Sequence, residues 1–215
     1  GQTPQGAQGQ RGSARQSNNS ANIGDQDLFV RATLSKSDVY EQEAVLLTYK
    51  VYSAVNLTNL SYPSPELKGF NIQEVDLPQN KQFELDHYNG RNYNTVVWRQ
   101  FVLFPQESGE LVIPAVDFEA VVAVQSRRSM DPFEMMFNGF SGYVNVNKDL
   151  RSNSLKLNVE KLPEGRPADF SGAVGDFSIK SSISSTDLKT NSEFTLKVTV
   201  KGAGNMRLMS NPVLE

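Results

Sequence analysis

The chain has 215 residues, of which 38% are hydrophobic, a net charge of −3 with both signs well mixed, and no cysteine. That length accommodates one or two domains. The balanced charge provides no basic patch for nucleic acid, no run of roughly 18 or more apolar residues is present to span a bilayer, and disulfides and thiolate metal sites are excluded.

Residues 1–26 are dominated by Gly, Gln, Ser and Asn, and only Pro4 and Ile23 are apolar residues larger than Ala. Such a segment buries too little surface to offset its ordering entropy, so it reads as a flexible linker. From Asp27 the pattern changes to period two. Val45, Leu47, Tyr49 and Val51 alternate with Leu46, Thr48 and Lys50, as in a half-buried strand. Residues 37–43 before it read as a polar turn between two strands.

The clearest local signal is a hairpin. Residues 81–88 and 91–104 flank Asn89-Gly90, the pair that a type I′ turn favours because both central residues need positive φ. Pairing Tyr88 with Arg91 sets Leu85 opposite Asn94 and Phe83 opposite Val96. That register assigns Trp98, Val102 and Phe104 to the core face. Phe101 and Leu103 on the opposite face imply a strand covered on both sides at that end. Pro105 and Gly109 punctuate the next connection. Residues 110–114, 117–125, 142–147 and 155–159 supply further strands. No amphipathic helix is evident, and short strands with regular turn signals read as an all-β, immunoglobulin-like antiparallel β-sandwich.

The chain also repeats itself. Residues 28–57 align without a gap with residues 177–206, at an offset of 149. Six of the thirty positions are identical: Ser35/Ser184, Asp38/Asp187, Leu47/Leu196, Val51/Val200, Ala54/Ala203 and Asn56/Asn205. Apolar positions match more widely, with Val30 against Ile179 and Val45 against Phe194. Each copy is expected to be one folding unit. The domain reading is therefore a linker over 1–26, a complete sandwich over 27–162, a stiff connector over 163–175 and the first strands of a second, truncated β-sandwich over 176–215. The chain reads as a piece of a longer tandem-domain protein. About 40 residues bury too little surface to stand alone, and unpaired edge strands there would favour association.

Several stretches together resemble the BatD family of aerotolerance ("oxygen tolerance") proteins. They are residues 39–43 (Val-Tyr-Glu-Gln-Glu), 48–52 (Thr-Tyr-Lys-Val-Tyr), 87–93 (His-Tyr-Asn-Gly-Arg-Asn-Tyr), 98–106 (Trp-Arg-Gln-Phe-Val-Leu-Phe-Pro-Gln), 131–133 (Asp-Pro-Phe), 162–177 and 202–205 (Gly-Ala-Gly-Asn). The resemblance covers about residues 24–215. It implies exported proteins held in the inner membrane by a C-terminal helix, with tandem immunoglobulin-like domains in the periplasm. It also implies genetic neighbours with von Willebrand factor A domains, a tetratricopeptide protein and a MoxR-type ATPase, and no assigned catalytic activity.

Residues 130–140 pack three Phe and three Met into eleven positions on a connection. Met and Phe are adaptable contact residues, and exposed apolar patches mark interaction surfaces. Asp131, Phe133, Glu134, Met135, Met136, Phe137 and Phe140 are therefore the candidate partner-binding residues. The competing reading is a loop folded over the open end of the sandwich. Given the von Willebrand A neighbours that the resemblance implies, Glu134 or Asp131 would suit a carboxylate filling the open position of their divalent metal. His87, the single histidine, reads as a surface residue beside the turn, with no second imidazole for a zinc site. No catalytic constellation, cofactor site or metal site is evident. The expected function is a non-enzymatic scaffold that binds protein partners, von Willebrand A proteins and the tetratricopeptide protein among them. The alternative is a carbohydrate- or substrate-binding module, which an exposed row of aromatics on one sheet face would favour. A concave pocket holding paired carboxylates would point instead to a hydrolase.

Overall fold

In the computed structural model, residues 23–64, 66–125 and 143–210 are described. The strands run in chain order as β1 (Leu28–Leu34), β2 (Asp38–Tyr40), β3 (Val45–Ser53), β4 (Asn56–Ser61), β5 (Phe70–Glu74), β6 (Glu84–Tyr88), β7 (Arg91–Pro105), β8 (Gly109–Ile113), β9 (Asp117–Gln125), β10 (Tyr143–Arg151), β11 (Leu155–Glu160), β12 (Gly175–Ile183) and β13 (Leu196–Gly204). The only helical element among the described residues is a single 3₁₀ turn, Met206–Leu208.

One five-stranded antiparallel sheet has the order β1-β3-β7, with β5 and β6 both on the far edge of β7. They share that edge because β7 is long: β5 pairs with its last five residues and β6 with its first five. The opposing layer comprises two three-stranded sheets, β10-β9-β4 and β2-β11-β8. These two are halves of one bent ribbon. The β9–β10 ladder ends at Asp117↔Arg151 and the β8–β11 ladder resumes at Ile113↔Leu155. Between them, the Ser152 amide donates to the Val116 carbonyl at 2.9 Å and the Val116 amide to the Ser152 hydroxyl at 2.9 Å. Leu28, Val30, Leu47, Tyr49, Val51, Phe101 and Leu103 from the first layer meet Ile113, Phe118, Val122, Leu157 and Val159 from the second. Burying each such side chain stabilises the fold by about 1.5–3 kcal/mol. The result is an all-β, immunoglobulin-like sandwich.

The Asn89-Gly90 turn adopts positive φ at both residues, 47° and 79°, and the expected pairs Tyr88↔Arg91 and Leu85↔Asn94 form. The ladder stops at Glu84↔Thr95, so Phe83 does not pair with Val96. Leu85 and Phe83 are both exposed.

The core face of β7 differs from the expected one. The register with β3 shifts where Tyr49 pairs with Arg99 and Lys50 pairs with Val97, so Trp98 is an extra residue in a β-bulge. A bulge inverts the in–out alternation of everything beyond it. Phe101 and Leu103 therefore enter the core, while Val102 and Phe104 lie on the other face. Trp98 still packs against the core from the bulge, as expected. Phe104 is buried on its own side, so the strand end is covered on both faces.

The polar turn expected at 37–43 contains the short strand β2, which pairs in parallel with β11. Ile23, in the segment read as linker, is buried in the core cluster.

β12 and β13 form a separate two-stranded ladder with the register of β1–β3. Ile179↔Val200 and Ile183↔Leu196 correspond to Val30↔Val51 and Leu34↔Leu47. The correspondence extends to the turns. The Ser35 amide bonds the Leu46 carbonyl and the Ser35 hydroxyl accepts from the Leu46 amide; Ser184 does the same with Thr195. Gln42 and Asn191, at matching positions, have φ of 66° and 64°.

Candidate interaction surfaces

The 130–140 loop, with Asp131, Phe133, Glu134, Met135, Met136, Phe137 and Phe140, lies outside the described residues. Its flank on β10 begins with Tyr143 and Val144, both exposed.

The largest contrast in exposure falls between the matching positions of β1–β3 and β12–β13. Val30 is 4% exposed and Ile179 70%; Val39 is 4% and Leu188 42%; Val45 is 0% and Phe194 55%. Ile183, Leu196 and Val198 are exposed as well. Period-two patterning aligns these side chains on one face of the β12–β13 ladder. In β1–β3 the second layer covers that face; in β12–β13 no described residue does. Leu188 also lacks the strand conformation of Val39, because β2 takes its backbone partners from β11.

An aromatic row does occur, on the outer face of the five-stranded sheet. Phe29 stacks on Tyr52 with centroids 4.8 Å apart, and Tyr88 and Tyr93 close around them. Arg31 lies over Tyr88, Lys50 over Tyr52 and Arg91 over Tyr93, at 5.1–5.6 Å. The cations are themselves tied down, Lys50 to Asp86 at 2.7 Å and Arg91 to Asp27 at 2.8 Å. The hydrogen bond from Lys50 lowers the Asp86 pKa and raises that of Lys50, and the bond from Arg91 lowers that of Asp27. Tyr52 and Tyr93 are only 8% and 5% exposed. Sequence alternation contained this row, since Phe29, Arg31, Lys50 and Tyr52 all occupy the outward phase of their strands. Its rings cover one another, so it acts as a small outer core that fastens β6 and the start of β7 to the sheet. It is not an open stacking platform of the kind a sugar needs.

Asp117, Glu119 and Asp149 line an open groove of about 640 Å³ with Arg151, Ser61 and Tyr62. All three carboxylates are exposed, and Asp117 accepts from Arg151 at 3.2 Å. The groove therefore lacks the buried carboxyl that a hydrolytic acid–base pair uses. His87 is exposed and its Nδ1 lies 2.8 Å from Asn92 Oδ1. No cluster of three or more potential metal ligands occurs among the described residues, and no helix among them is long and apolar enough to cross a membrane. Inside the sandwich, Tyr49 and Tyr62 sit 5.7 Å apart. Burial pushes the Tyr49 pKa up to about 12 and raises that of Tyr62. Both phenols stay neutral and serve packing.

These features define an immunoglobulin-like β-sandwich with no catalytic constellation among its described residues. The chain belongs to the BatD family: the model described as "BatD DUF11 like domain" matches residues 32–159. That span runs from β1 to β11 and so takes in nearly the whole sandwich. Comparison with curated proteins and with solved structures finds no match.

Proposed function

We propose that this chain is a non-catalytic scaffold of a membrane-anchored aerotolerance complex on the periplasmic face of the inner membrane. In this reading, residues 27–162 form one complete domain, 163–175 a connector and 176–215 the first strands of a second. Its partners are proteins, foremost membrane proteins with von Willebrand A domains, with a tetratricopeptide protein as a further member. The observation that carries the reading is the match of the BatD model to residues 32–159, over a sandwich with no catalytic constellation among its described residues.

The partner contact in this reading lies in residues 130–140. Glu134 or Asp131 provides a carboxylate to the partner's divalent metal, and Phe133, Met135, Met136, Phe137 and Phe140 provide apolar area. The test is binding of the chain to a soluble von Willebrand A domain, with magnesium and with chelator. The expected result is metal-dependent binding that is lost in Glu134→Ala and in Asp131→Ala combined. Equal binding by that double variant in both conditions removes the carboxylate contact. Absence of binding by the unaltered chain overturns the partner assignment.

A further inference from the structure

Three stretches far apart in sequence meet at one point. Residues 39–43, 98–106 and 202–205 bring together the side-chain amides of Gln42, Gln106 and Asn205. Gln42 and Gln106 exchange hydrogen bonds, Nε2 of Gln42 to Oε1 of Gln106 at 3.0 Å and the reverse at 3.3 Å. The Gln42 oxygen accepts a second bond, from Asn205 Nδ2, at 3.2 Å. Asn205 is only 6% exposed.

Each amide is held from behind. The Gln42 backbone amide donates to the Pro105 carbonyl at 2.8 Å, and Gln106 Nε2 donates to the Phe104 carbonyl at 2.8 Å. The Asn205 backbone amide donates to the Val174 carbonyl at 3.0 Å. Gln42 has a φ of 66°, a strained conformation for a residue other than Gly or Asn, which aims its side chain at the second ladder.

The Gly-Ala-Gly-Asn sequence explains how Asn205 arrives there. A Cβ on Gly202 would lie 2.1 Å from the Asp176 carbonyl, and one on Gly204 would lie 2.4 Å from the Val174 carbonyl. Only glycine permits these approaches between β12 and β13. The matching positions in the first copy are Ser53 and Val55, so the glycines are not a requirement of the repeat itself. They belong to the end of the ladder that meets the sandwich.

We propose that Gln42, Gln106 and Asn205 form an amide lock that fixes β12–β13 at one orientation on the sandwich. The surface around Gln42 is thus a docking site for the glycine-asparagine end of the second copy. The connector carries Gly165 and Gly172, both at positive φ, and sets the reach while the lock sets the angle.

The absence of native cysteine makes the test direct. Spin labels on Glu119→Cys and Ser182→Cys, both exposed positions, report the distance between the two parts in the full chain. The expected result is one narrow distance distribution that at least doubles in width with Asn205→Ala and with Gln42→Gly. Cleavage in the connector should become about tenfold faster in the same variants, as for a locally released segment. Gln42→Gly removes the amide while suiting the positive φ, so the melting temperature of the sandwich should not fall. A distribution equally narrow in both variants, or already broad in the unaltered chain, overturns the lock.

Discussion

Asn153 shows how much one side chain can join. Its Oδ1 accepts from the Ala32 amide at 2.9 Å and its Nδ2 donates to the Ala32 carbonyl at 3.1 Å. It thereby imitates a neighbouring strand on the open edge of β1 and ties that edge to the bend of the opposite layer. Replacing it leaves two backbone groups of a part-buried strand unpaired. Asn153→Ala is expected to cost about 2 kcal/mol, at about 1 kcal/mol per lost bond, measured by urea unfolding. An unchanged midpoint would show that water replaces both bonds without loss. Nothing in the sequence marks Asn153, because its partner lies 121 positions away. The Asn89-Gly90 turn is the opposite case: both positive φ values and the register follow from two adjacent residues.

At the scale of the strand, β7 marks where local pattern stops being informative. Alternation alone puts Val96, Trp98, Val102 and Phe104 on one face. A single extra residue at Trp98 moves Phe101 and Leu103 inward. All the residues concerned are large and apolar, so composition offers no warning; the shift is set by the pairing with β3. The two faces predict different mutational costs. Phe101→Ala should destabilise by about 3–5 kcal/mol, as a buried aromatic truncation does, while Val102→Ala should cost under about 1.5 kcal/mol. Denaturant titration of the two variants checks the bulge, and a reversed ranking would restore the uninterrupted alternation. β2, β4 and β5 have no counterpart in the sequence reading for a related reason. They are short or mostly polar, and their partners, β11, β9 and β7, come later in the chain.

Across the whole molecule, the same patterned positions occur twice in different surroundings. Val30 lies under the second layer and Ile179 in solvent. Val30→Ala should therefore cost about 2 kcal/mol, and Ile179→Ala should change stability by no more than about 0.5 kcal/mol. Comparing their unfolding midpoints separates patterning from burial; equal costs would mean that the β12–β13 face is covered in solution. The sequence by itself determined the all-β class, the hairpin register, the repeat and the family, because alternation, turn chemistry and motif order are local or linear properties. The candidate loop at 130–140 was legible as composition and nothing more. Tertiary structure alone decided which face of β7 is core, that the outer aromatics cover one another, and that Gln42, Gln106 and Asn205 converge. These depend on register between distant strands and on which surfaces find a partner, and no single stretch of chain encodes either.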